Sequence, residues 1–217
     1  MNGATRIIVV RHGQTPASVE RRFAGSTDVD LTDEGAGQAE LLAARLSKLD
    51  IEALYVSPMK RCRRTSAAVE RATGLVPRVE RDLRECDFGR WEGLTTTEVS
   101  AQFPDRFQEW VTDDTVEPPD GESWHAVGER LGRWWESAAA EHKGQTIVAV
   151  THGGPILTLI RQRLQAPYLV LLAVEIDPCS ITVFQARREL WRVRLVNDTT
   201  HLRDPLLDGP PPKPMPP

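Results

Sequence analysis

Two histidines stand in the same local setting. Arg11-His12-Gly13 follows the β-branched run Ile7-Ile8-Val9-Val10, and Thr151-His152-Gly153-Gly154 follows Ile147-Val148-Ala149-Val150. A neutral imidazole can act as a nucleophile, and its unperturbed pKa of about 6.5 makes that state accessible. Glycines beside it let backbone N–H groups approach an anion. Arginine offers planar, paired donors that match phosphate oxygens. Arg11 is one candidate; Arg61, in Ser57-Pro58-Met59-Lys60-Arg61, is the other. Glu85 lies in Leu83-Arg84-Glu85-Cys86-Asp87-Phe88-Gly89-Arg90-Trp91-Glu92-Gly93. A loop with these glycines and aromatic rings can fold over a pocket, and its carboxyl can hand a proton to a leaving oxygen.

These side chains need a scaffold. The two β-branched runs read as buried strands, and open α/β sheets bind ligands outside the carboxyl ends of their strands. If the two strands are neighbours, the imidazoles face each other across one phosphate. A further strand is expected at 53–56 and a short one at 76–79. Thr32, followed by Asp33 and Glu34, predicts a helix start. Ser57 as N-cap with Pro58 at the first helical position predicts another, stopped by Gly74. Helices are expected over 122–142 and 155–164, a helical excursion over 95–119, and two strands over 180–196 around a turn near Arg187-Arg188. The alternation implies an α/β fold: a three-layer α/β/α sandwich with a mostly parallel sheet and an antiparallel edge. One domain is expected over 1–203. A Pro-rich tail over 204–217 is expected to be extended or disordered.

Composition narrows the function classes. The net charge of −4 over 217 residues argues against a nucleic-acid partner. Cys62, Cys86 and Cys179 are odd in number and widely spaced, which argues against a disulfide framework or a structural zinc site and for reduced thiols in the cytoplasm. No stretch approaches the roughly 20 apolar residues of a membrane span, and no signal region is expected at the start.

The motifs also resemble those of a known family. Arg11-His12-Gly13-Gln14-Thr15 matches R-H-G-[EQ]-T, and 31–39 matches L-T-x-x-G-x-x-Q-A. Residues 57–65 match S-P-x-x-R-x-x-x-T, 83–93 match L-x-E-x-x-x-G-x-W-E-G, and His152-Gly153 matches the second His-Gly signature. In this order they resemble the histidine phosphatase superfamily, which includes cofactor-dependent phosphoglycerate mutases and many phosphatases. The resemblance implies that His12 is the nucleophile and that Arg11, Arg61 and His152 hold phosphoryl oxygens. It makes Glu85 the acid for the leaving alcohol, then the base for water. It implies a small phosphorylated metabolite as partner, with no metal and no cofactor. Substrate contacts are expected from Arg11, Gly13, Gln14, Ser18, Ala24, Gly25, Arg61 and Gly153.

Ser18 stands where many relatives carry Asn. Asp87 and Phe88 stand where mutases usually carry His and Tyr, and the segment between Gly93 and Gly121 is shorter than in mutases; both lean toward hydrolysis. Two rivals stay open at this point: a phosphoglycerate-type phosphomutase, and a non-catalytic phosphate-binding module. Oligomeric state is also open, a homodimer being one option. The plainer readings apply elsewhere: His125, His142 and His201 as structural histidines, Arg63 and Arg64 as a solvated helix face, and Trp91, Trp124, Trp134 and Trp135 as packing residues.

Overall fold

The computed structural model describes residues 4–187 and 190–202. Strand β1 (Thr5–Arg11) is followed by a short helix α1 (Pro16–Val19), α2 (Asp33–Leu46), β2 (Ala53–Val56), α3 (Lys60–Thr73) and β3 (Arg78–Val79). Next come α4 (Thr96–Gln102), α5 (Pro104–Trp110), α6 (Trp124–Glu141), β4 (Thr146–Thr151), α7 (Gly153–Leu164), α8 (Val170–Ala173), β5 (Ile181–Arg187) and β6 (Leu190–Asp198).

The six strands lie in the order β3-β2-β4-β1-β5-β6. β1, β2, β3 and β4 pair in parallel, whereas β5 pairs antiparallel with β1 and β6 antiparallel with β5. The central strands are covered on both faces, so they read as continuous apolar runs. Ile7 and Val9 point into one core with Val127, Leu131 and Trp135 of α6 and Ile156 and Leu159 of α7. Ile8 and Val10 point into the other, against Leu42 and Leu46 of α2 and Val69 of α3. Each such fully buried aliphatic side chain stabilises the fold by about 1.5–3 kcal/mol. The expected three layers follow.

Local signals explain the element ends. Thr32 caps α2 by accepting the Gly35 N–H at 3.0 Å, an arrangement worth about 1 kcal/mol. Gly74 ends α3 at φ 74°. Two expected helix starts shift. α3 begins at Lys60, not at Ser57-Pro58, and its cap Met59 makes no side-chain bond. The Ser57 hydroxyl is taken by His152 instead. α7 begins at Gly153 rather than Pro155, with His152 in the cap position. The strand expected at 76–79 reduces to the exposed pair Arg78–Val79. Helix α8 has no counterpart in the sequence reading. Residues 188–189, at the expected turn, and the Pro-rich 204–217 lie outside the described residues. Among the described residues no helix is long and apolar enough to cross a membrane.

Candidate active site

β1 and β4 are neighbours in register, Arg11 opposite Thr151. The His12 N–H continues the ladder to the Thr151 carbonyl at 2.9 Å. Both chains leave the sheet there, which brings the two imidazoles to 5.2 Å between ring centres, inclined at 66°. Nδ1 of His12 lies 2.8 Å from the Gly13 carbonyl oxygen. A carbonyl only accepts, so Nδ1 carries the proton of the neutral ring and Nε2 holds the lone pair. Burial, with Arg11 and Arg61 nearby, holds the His12 pKa well below 6.5. The ring is neutral at ordinary pH and its free nitrogen keeps its lone pair.

The two arginines are used differently. Arg61 is buried on the first turn of α3. It donates from Nε to His152 Nδ1 (3.1 Å), from Nη1 to the Thr27 carbonyl (2.9 Å), and from Nη2 to those of Ala24 (2.8 Å) and Gly25 (2.9 Å). Four of its five N–H groups are thereby engaged, leaving one on Nη1. Arg11 donates from Nη1 to the Ile176 carbonyl at 2.5 Å, and its buried Nε has no partner among the described residues. Gly153 lies against that Nε: a Cβ there would sit 3.8 Å away. A buried, unpaired guanidinium N–H is costly unless a ligand meets it, so Arg11 is the readier anion donor of the two.

His152 is fully buried. Arg61 Nε can only donate, so Nδ1 of His152 accepts and its Nε2–H points to Ser57 Oγ, 2.8 Å away. Burial, then Arg61, hold its pKa well below 6.5. Both ring nitrogens are bonded within the protein, so an oxygen reaching Nε2 has to displace Ser57. Glu85 accepts the Cys86 N–H on Oε1 (2.9 Å) and the Gly154 N–H on Oε2 (3.3 Å). Burial raises its pKa above the usual 4.5, although those N–H groups and Arg61 oppose the rise. A carboxyl in this state keeps its proton to higher pH and is suited to give it away.

Arg11, His12, Arg61, Glu85 and His152 therefore converge. The other expected contacts have duties within the protein. The Gly13 N–H donates to Thr65 Oγ1 at 3.0 Å, and a Cβ on Gly13 would lie 2.5 Å from the Gly35 carbonyl oxygen. The Gln14 side chain accepts from Thr32 Oγ1 and its N–H donates to Gln38. Ser18 completes a capping box with Thr15 at the start of α1. Ala24 and Gly25 present carbonyls to Arg61.

Several site residues escaped the sequence reading. Ser57 accepts the Nε2–H of His152. Cys62 lies 3.4 Å from His152 Nε2 and donates to the Thr151 carbonyl; burial pushes its thiol pKa far up, so it stays protonated. Gly154 carries an N–H to Glu85. Ser57 and Cys62 lay inside a quoted motif, but nothing local shows that they face His152. Among the described residues no group of three or more His, Cys, Asp or Glu side chains is placed to hold a metal ion.

Residues 7–199 match the model of the histidine phosphatase superfamily (branch 1). A bifunctional protein of Mycobacterium tuberculosis is 35% identical over 200 residues, covering 91% of this chain and 55% of that protein. The chain thus spans about half the length of that relative. Phosphoserine phosphatase 1 of Hydrogenobacter thermophilus is 31% identical over 206 residues, covering 91% of this chain and 94% of that one. The solved structure of mycobacterial glucosyl-3-phosphoglycerate phosphatase with VO3 superposes with a TM-score of 0.82 at 29% identity, covering 89% and 99% of the two chains.

Proposed function

Because the chain belongs to the histidine phosphatase superfamily (branch 1), we propose that it hydrolyses monoesters of small phosphorylated metabolites through a phosphohistidine on His12, without a metal ion. The observation that carries this reading is the His12 ring itself. Its Nδ1–H is held by the Gly13 carbonyl, its Nε2 lone pair is free, and burial beside two guanidinium groups keeps it neutral. The relatives support the substrate class, since phosphatases of phosphoserine and of glucosyl-3-phosphoglycerate are among them.

In the first step Nε2 of His12 bonds to phosphorus as the bond to the leaving oxygen breaks, and Glu85 gives that oxygen its proton. The positive charge on the phosphorylated ring is stabilised by the Gly13 carbonyl. Arg11, with its unpaired donors, and Arg61, with the one it has left, offset charge on the non-bridging oxygens. In the second step Glu85 takes a proton from water, the water oxygen bonds to phosphorus, and the P–N bond breaks. Covalent capture splits one difficult displacement into two easier ones. Three buried free thiols fit a reducing compartment such as the cytoplasm.

The test is phosphate release from p-nitrophenyl phosphate, phosphoserine and 3-phosphoglycerate with EDTA present, for wild type beside His12→Ala. Release by the wild type that vanishes in the variant is the expected result. Loss of wild-type release in EDTA, restored by a divalent metal, would overturn the metal-free route. Isomerisation of 3-phosphoglycerate without phosphate release would make the chain a mutase.

A further inference from the structure

The backbone that carries Glu85 has almost no regular structure of its own. After a single 3-10 turn at Arg81–Leu83 it runs as an irregular segment to the next turn at Gly89–Trp91. Its carbonyl groups still need partners, and three of them find the same one. Arg130, on the second turn of α6 and buried, donates Nη1 to the carbonyls of Asp82 (2.7 Å) and Arg84 (2.7 Å), and Nη2 to that of Glu85 (2.9 Å). Its remaining two N–H groups meet Glu122 side-on, Nε to Oε1 at 2.8 Å and Nη2 to Oε2 at 2.9 Å. All five guanidinium donors are satisfied.

Glu122 adds to the clamp. Its N–H donates to the Asp87 carbonyl (2.8 Å), its carbonyl accepts from the Cys86 thiol (3.1 Å), and its Oε2 accepts the Asp87 N–H (3.4 Å). The one carbonyl from 82 to 85 that does not go to Arg130, that of Leu83, accepts from Thr151 Oγ1 next to His152 (2.6 Å). The catalytic loop is thus tied on one side to the strand end that bears His152 and on the other to the start of α6.

We infer that Arg130 and Glu122 form a positioning pair for Glu85, fixing the 82–87 backbone so that the carboxyl reaches the leaving oxygen. The inference rests on the reading of Glu85 as proton donor. Its physical basis is twofold. A buried ion pair adds little net stability over apolar residues of the same size, whereas a side chain that binds three consecutive-region carbonyls defines a backbone shape that apolar packing cannot. Proton transfer is also sensitive to placement, a shift of about 1 Å costing on the order of 100-fold. Neither residue touches substrate in this account; each acts through the loop.

The experiment compares kcat/KM for p-nitrophenyl phosphate with that for phosphoserine or 3-phosphoglycerate, whichever the wild type cleaves faster. p-Nitrophenolate leaves without a proton; an alkoxide does not. kcat/KM covers only the steps through departure of the leaving group. The variants are Glu85→Gln, Glu122→Gln and Arg130→Met. Glu85→Gln is expected to lower the alkyl value by about 100-fold or more and the aryl value by far less. Glu122→Gln, which keeps the side-chain volume, is expected to lower the alkyl value by about 10-fold and the aryl value by less than about 2-fold, and Arg130→Met by more, with the same split. The ratio of the two substrates does not depend on the fraction of folded enzyme, so a variant that is merely less stable loses both values equally. Equal losses, or none, in Glu122→Gln while Glu85→Gln splits the substrates would overturn the positioning role. No split in Glu85→Gln would instead overturn the proton-donor reading, and the inference with it. If Arg130→Met does not fold, Glu122→Gln decides.

Discussion

In the proposed mechanism His12 attacks only while neutral, and Glu85 donates only while protonated. Burial acts on the two in complementary directions. It disfavours each charged form, which lowers the histidine pKa well below 6.5 and raises the glutamate pKa above 4.5. The working form of the pair, neutral imidazole beside neutral carboxyl, is therefore favoured from both sides. The sign of the pH dependence follows. As pH rises, His12 is neutral well before 6.5, so the alkaline loss comes from Glu85 giving up its proton. The ratio of wild-type to Glu85→Gln kcat/KM on an alkyl phosphate is expected to fall as pH rises through the Glu85 pKa; substrate ionisation cancels in that ratio. A ratio independent of pH would mean that Glu85 does not titrate as the donor.

At the scale of elements, the site is a junction of four chain segments. The ends of β1 and β4 supply the histidines, the first turn of α3 supplies Arg61, and the irregular 82–87 segment supplies Glu85. One tight joint is where α7 begins. A Cβ on Gly154 would lie 2.6 Å from Cη2 of the buried Trp124 ring and would collide with Glu85 Oε1. The carboxylate is the softer neighbour, so Gly154→Ala is expected to push Glu85 aside. Overpacking of this kind costs about 1–3 kcal/mol of stability, and the displaced carboxyl should lower alkyl-phosphate kcat/KM by about 10-fold or more. Aryl-phosphate turnover should change much less. An alanine variant with unchanged alkyl-phosphate turnover would show that the loop absorbs the methyl group elsewhere.

At the scale of the whole molecule, the proposed catalytic groups tax the fold. His12 and His152 are held neutral in the folded protein, but in the unfolded chain each titrates near 6.5. Below that pH the unfolded state binds more protons, so these two histidines make the fold less stable as pH falls. Glu85 has the opposite sign: its raised pKa means that the folded state takes up its proton first, which favours folding on acidification. The histidine contribution can be isolated by difference. Between about pH 7.5 and about pH 5.5, His152→Asn is expected to lose less melting temperature than wild type. Equal pH slopes would show that His152 takes up its proton in the folded protein as readily as in the unfolded chain.

What the amino-acid sequence determines by itself is what local rules can encode. β-Branched runs dictated strands, Thr32 and Gly74 dictated helix ends, and His-Gly after a strand dictated two candidate active groups. The alternation of strands and helices was enough for a layered α/β fold with an antiparallel edge. The start of α3 was not legible, because Ser57-Pro58 has the local form of a helix cap and only the presence of His152, 95 residues away in the chain, claims the hydroxyl. Nor were the duties of Gly13 and Gln14 legible, since they depend on Thr65 and Gln38. Arg130 reads in the sequence as one more arginine on an amphipathic helix. The sheet order places β4 between β2 and β1, which brings α6 against the Glu85 loop and turns that arginine inward to five acceptors. Propensity and capping act over a few residues, so the chain carries them openly. Hydrogen-bond partners far apart in the chain are chosen by strand order and packing, and only the folded chain contains that information.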